Sequence, residues 1–85
     1  LSKFPQVLVN VPVREKPLLE SIPGLADRLA ARESELEKAG RILLRYSGTE
    51  NLARVMVEGE DRSHIETIAA ELSGIIKKAV GARPR

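Results

Sequence analysis

Cysteine is absent from the chain, so neither a disulfide framework nor a thiolate metal site can form. That absence is compatible with a reducing compartment. The single histidine, His64, excludes any site that needs two. Tryptophan is missing, and Phe and Tyr occur once each, so the core has to be built from Val, Ile, Leu and Ala. No apolar run reaches the roughly 18 residues that a membrane span needs, and no signal peptide opens the chain. Neither sign of charge dominates. The 14 Lys and Arg against 12 Asp and Glu leave a net charge of +2. The two signs are interleaved, not gathered into the basic face of a nucleic-acid binder. These exclusions lead to the expectation of a soluble, cytoplasmic protein with neither nucleic acid nor a membrane as partner.

What is present is a chain of 85 residues, 42% hydrophobic and 31% charged. That composition suits one small globular domain spanning residues 1–85. The first residue is Leu1, not Met, which suggests a piece of a longer protein. Residues 6–13, QVLVNVPV, place Val7, Val9, Val11 and Val13 on one face, the period of a half-buried strand. Pro12 cannot donate to a ladder, so this strand lies at an edge or ends there. Residues 14–21 read as a polar connection. Ile22-Pro23-Gly24 then opens a helix with Pro23 in its first turn. Leu25, Leu29, Arg32 and Leu36 form its narrow inner stripe, and Gly40 is its C-cap. Residues 41–46 and 53–59 are strands joined by the six residues SGTENL. Asp61 is the N-cap of a last helix. Its wide apolar face carries Ile65, Ile68, Ala69, Leu72, Ile75, Ile76, Ala79 and Val80, and Gly81 ends it. The order β-α-β-β-α predicts an α+β two-layer sandwich, a small sheet with both helices on one face.

Strand alternation carries a consequence for chemistry. With Ile42, Leu44, Val55 and Val57 facing the helices, Leu43, Arg45, Arg54 and Met56 face the other way. Arg45 and Arg54 thus leave the sheet on its open face at the two mouths of one loop. Between them lie Ser47 and Thr49, two hydroxyls, and Gly48, which lets the backbone turn so that amides can form an anion-binding nest. Guanidinium forks, hydroxyls and amides converging on one point are what a phosphate needs. Ser-Gly-Thr is equally ordinary turn vocabulary, and spacing alone leaves both readings open. Glu50 reads as an ion-pair partner for an arginine or as a ligand contact. Tyr46 reads as a flank of the ligand or a residue packed at the sheet edge. His64 and the run from Arg32 to Lys38 read as solvated. There is no P-loop, dinucleotide fingerprint or metal triad.

The stretch LLRYSGTENLARVMVEGE resembles the phosphate-binding loop of the α-D-phosphohexomutase superfamily. Within it, the chain is similar to the phosphoglucosamine mutases, whose last domain reads Arg-x-Ser-Gly-Thr-Glu-Pro followed by Arg-Val-Met-Val-Glu. FPQVLVNVPV and the later IPGL resemble the opening of the same domain, so the likeness spans nearly the whole chain. It implies a TATA-box-binding-protein-like fold and the fourth, C-terminal domain of a four-domain enzyme. That enzyme interconverts glucosamine 6-phosphate and glucosamine 1-phosphate through a bisphosphorylated intermediate, in the supply of cell-wall precursors. It further implies that Arg45, Ser47, Gly48, Thr49 and Arg54 hold the phosphate not being transferred. Glu50, Asn51 and Tyr46 are secondary. The catalytic phosphoserine and the Mg²⁺-binding loop would lie on other domains, which leaves no catalytic or metal-binding residue in this chain and no activity in it alone. The partners implied are a sugar phosphate and the enzyme's other domains, with a homodimer of the full enzyme left open. Two residues depart from the pattern: Asn51 stands where Pro is common, and Tyr46 where Lys or a small polar residue is frequent. A different phosphohexomutase and a non-enzymatic α+β binding module, docking through Leu8, Leu43 and Met56, are the alternatives.

Overall fold

A computed structural model describes residues 4–36 and 39–82. The elements run β1 (Gln6–Pro12), α1 (Leu25–Leu36), β2 (Arg41–Tyr46), β3 (Leu52–Glu58) and α2 (Arg62–Val80). The strands form one antiparallel sheet in the order β1-β3-β2. The expected two-layer α+β sandwich is what forms. β1 is an edge strand and ends at Pro12, as a residue without an N–H requires.

Register divides the sheet into rows. Val9, Val55 and Leu44 pair across the three strands, as do Val7, Val57 and Ile42. Val55 and Val57 are fully buried on this inner face. Against it lies the apolar face of α2, with Ile65, Ile68, Leu72 and Ile76 fully buried in the same cluster. Burying each such aliphatic side chain contributes about 1.5–3 kcal/mol, so the packing of α2 on the sheet is a large share of the stability. Asp61 caps α2: its carboxylate accepts from the amides of Ser63 at 2.9 Å and His64 at 3.3 Å.

Five local expectations are corrected. Pro23 is not in the first turn of α1. The amide of Leu25 donates to the Ile22 carbonyl, closing a turn with Pro23 and Gly24 at its centre. Gly24 has φ +82°, the left-handed position that a Pro-Gly turn assigns to glycine. α1 therefore starts at Leu25. Gly40 lacks the positive φ of a left-handed helix-cap glycine. A Cβ at Gly40 would sit 2.2 Å from the carbonyl oxygen of Glu58, so a glycine is needed there for the close approach to β3. The 14–21 connection contains a 3-10 turn at Leu19–Ser21, because Leu19 is drawn against the core. β3 begins at Leu52, which shortens the hairpin loop to residues 47–51. Arg32 is not solvated: its side chain is 16% exposed and binds Glu71 on α2, whereas His64 stays solvent-accessible while meeting Glu35, as described below. The predicted helix residues Glu37 and Lys38 lie outside the described residues.

Candidate functional site

The open face carries its own rows. Leu8, Met56 and Leu43 form one; Asn10, Arg54 and Arg45 form the next, nearest the hairpin loop. Arg45 and Arg54 are direct partners. The Ser47 amide donates to the Leu52 carbonyl at 2.9 Å, and ladder alternation then makes 45 and 54 a hydrogen-bonded pair, with Cα atoms about 5.5 Å apart. Two guanidinium groups thus rise side by side from adjacent strands.

The other described arginines are placed differently. Arg14, Arg28, Arg32, Arg41 and Arg62 each lie within 4.0 Å of a glutamate oxygen. Among the described residues, Arg45 and Arg54 have no such partner. Like charges directly opposite each other on a sheet are destabilising, and no described carboxylate lies within 4.0 Å to offset them.

The loop is tightly wound. The Ser47 hydroxyl oxygen accepts from the amides of Thr49 at 3.3 Å and Glu50 at 3.1 Å. Its own proton remains available for donation. The Asn51 carbonyl accepts from the Val13 amide, which ties the loop to the end of β1. Arg45, Tyr46, Ser47, Gly48 and Arg54 line a shallow open cleft of about 260 Å³. Thr49 is exposed at the loop tip and does not line it. Glu50 is exposed and forms no ion pair with a described residue; its amide belongs to the Ser47 turn. The Tyr46 ring lies on the inner face, in the row of Val11 and Ala53, and its hydroxyl donates to the Pro17 carbonyl. Burial, with a smaller contribution from Glu15, raises its pKa, which keeps that donor protonated.

One residue at the loop escaped the sequence reading. The Lys16 ammonium donates to the Ser47 carbonyl at 2.8 Å. The two residues are 31 apart in sequence, and no motif or spacing links them. No group of three His, Cys, Asp or Glu side chains converges among the described residues. No helix among them is long and apolar enough to cross a membrane.

The fold and site together define an α+β sandwich domain with an arginine doublet at a hairpin mouth that has no carboxylate partner within 4.0 Å among the described residues. The chain belongs to the family described as the phosphoglucomutase/phosphomannomutase C-terminal domain, whose profile matches residues 8–75. It is 48% identical over 80 residues to the phosphoglucosamine mutase of Lawsonia intracellularis, covering 94% of this chain and 18% of that protein. It is 47% identical over 83 residues to the phosphoglucosamine mutase of Chlamydia pneumoniae, covering 98% and 18%. Among solved structures it resembles Aspergillus fumigatus N-acetylphosphoglucosamine mutase in complex with GlcNAc-6P and magnesium. There the TM-score is 0.73 and the identity 30%, over 95% of this chain and 16% of that one. A variant of that enzyme in complex with glucose 1,6-bisphosphate gives a TM-score of 0.76 at 31% identity, over 93% and 16%. The chain thus spans less than a fifth of the length of these relatives.

Proposed function

We propose that residues 1–85 are the fourth, C-terminal domain of a phosphoglucosamine mutase, and that the 45–54 hairpin clamps the sugar phosphate that is not being transferred. The reaction is the interconversion of glucosamine 6-phosphate and glucosamine 1-phosphate. The observation that carries the reading is the Arg45–Arg54 pair, adjacent across β2 and β3 and without a carboxylate partner among the described residues. Arg45 and Arg54 supply bidentate forks, the Ser47 hydroxyl a donor, and the Gly48 backbone a close approach. Thr49 contributes from the loop tip. Relatives bearing the phosphoglucosamine mutase name along almost the entire chain support the amino-sugar substrate over other hexose phosphates.

The role is positioning. Binding energy gathered at a phosphate remote from the reacting centre fixes the sugar for transfer at its other end. A bisphosphorylated intermediate presents either end in turn, so a site that recognises charge and shape alone, without covalent capture, suits both orientations. In this reading Mg²⁺ and the phosphoserine belong to other domains of the full-length protein, and the sugar phosphate and those domains are the partners of this one.

Arg45→Ala in the full-length protein is expected to lower kcat/KM at least tenfold, about 1.4 kcal/mol. Arg45→Lys should recover only part of the loss, because it keeps the charge and loses the fork. Unchanged kinetics in Arg45→Ala would remove Arg45 from the site.

A further inference from the structure

The segment after β1 is fastened to the hairpin loop at three places. The Val13 amide donates to the Asn51 carbonyl, Lys16 donates to the Ser47 carbonyl, and Tyr46 donates to the Pro17 carbonyl. The middle contact is the informative one. Lys16 is exposed, and an exposed lysine ordinarily keeps its rotamer freedom in water. Here it is 2.8 Å from one carbonyl of the loop that carries the arginine pair. The peptide it caps joins Ser47 to Gly48, and no peptide bond of the described chain is cis. A trans peptide holds its C=O and N–H on opposite sides. With the carbonyl turned to Lys16, the Gly48 N–H is turned away from it. That N–H donates to no described residue, whereas the amides of Ser47, Thr49 and Glu50 are all engaged within the loop. Gly48 lines the cleft beside both arginines.

We propose that Lys16 is a positioning residue of the anion site: it fixes and polarises the Ser47–Gly48 peptide so that the Gly48 N–H is held ready for the anion. The inference rests on reading the hairpin as an anion site, and it adds to that site a group from a different part of the chain. Charge on the ammonium draws electron density toward the carbonyl oxygen and makes the opposite N–H a stronger donor, as hydrogen-bonded chains do. Glycine at 48 leaves that N–H unshielded by a Cβ.

The test is titration of the 85-residue chain with inorganic phosphate, followed at the backbone amides by NMR. The variants are Lys16→Met, which keeps length and loses both charge and donor, Lys16→Arg, and Arg45→Ala as a control for the site itself. The wild type should show saturable shifts at residues 47–49, largest at Gly48. Lys16→Met should weaken phosphate binding about threefold to tenfold, move the Gly48 amide resonance in the free protein, and slow its base-catalysed exchange with solvent, since the unbonded N–H loses the polarising charge. Lys16→Arg should restore all three. Core amides such as Val55 must stay in place in each variant. If Lys16→Met weakens binding but leaves the free Gly48 amide unchanged, Lys16 acts by charge alone and the positioning role is overturned. If Lys16→Met binds like wild type while Arg45→Ala does not, Lys16 has no part in a real anion site. If phosphate moves no loop amide in the wild type, the anion reading itself fails and Lys16 falls with it.

Discussion

At the scale of single residues, Arg45 and Arg54 are a liability in the free protein. They are direct cross-strand partners; like charges in that position are destabilising, and cross-strand pairs act on a scale of about 0.2–1 kcal/mol. Arg45→Thr replaces one of them with a neutral, β-compatible residue. It should therefore raise the unfolding free energy in phosphate-free buffer by an amount in that range, and weaken the phosphate binding proposed above. Added NaCl should shrink the difference, because exposed charges are screened. Urea unfolding at low and high salt reads both effects, and a destabilised Arg45→Thr would mean that Arg45 makes a supporting contact in the folded protein. The shared face of the two arginines follows from strand alternation and is legible in the sequence. Lys16 is not, because its contact depends on how the 14–18 segment crosses the loop end, a matter of tertiary path that no local period encodes.

Among the elements, α1 is the weakly packed one. It buries Leu25 fully, Leu36 nearly so and Leu29 only in part. Polar links to α2 supplement that stripe. Glu71 accepts from Arg32 at 2.7 Å and from Arg28 at 3.0 Å, and Glu35 lies 2.9 Å from both Arg32 and the Nε2 of His64. The hydrogen bond from Arg32, then that from Arg28, holds the Glu71 carboxyl below its ordinary value of 4.5. His64, then Arg32, does the same for Glu35. A carboxyl depressed in the folded state contributes stability above its unfolded pKa and loses it as pH falls through the folded one. The α1–α2 links should therefore weaken below about pH 4.5, and Glu71→Gln should flatten the fall in stability between about pH 5 and pH 3. Thermal unfolding across that range would decide it; an unaltered acid slope would show that Glu71 is not part of the response. Arg32 is visible in the sequence as the polar member of an apolar stripe, but its partner on α2 is not, since the helical period fixes faces and leaves interhelical register to packing. The start of α1 is missed for a different reason. Proline-glycine serves a helix entry and a tight turn equally, and only the left-handed φ of Gly24 separates them.

Taken whole, the molecule is a sheet covered on one side. Both helices, with their fully buried Leu25, Ile65 and Leu72, pack on the inner face, while Leu8 and Leu43 on the outer face are 60% and 47% exposed. The one-sided plan is legible because β1 alternates cleanly and α2 has a wide apolar stripe, whereas two helices are too few to cover a second face. The order β1-β3-β2 needs long-range pairing that period cannot supply. The asymmetry makes a strong energetic contrast. Leu72 is fully buried at the α2–sheet contact, and Leu72→Ala removes its transfer free energy and leaves a cavity, at about 2–5 kcal/mol. Against the roughly 5–15 kcal/mol of a typical domain, and a small one at the lower end, that is a large share of the total. Leu43→Ala, on the open face, should change stability by no more than about 0.5 kcal/mol. Both leucines lose the same atoms, so denaturant midpoints for the pair isolate burial from chemistry. Comparable losses in the two variants would mean that the outer face is covered in solution, by a second copy or by another segment, and the two-layer plan would have to be redrawn with a third layer on Leu8, Leu43 and Met56.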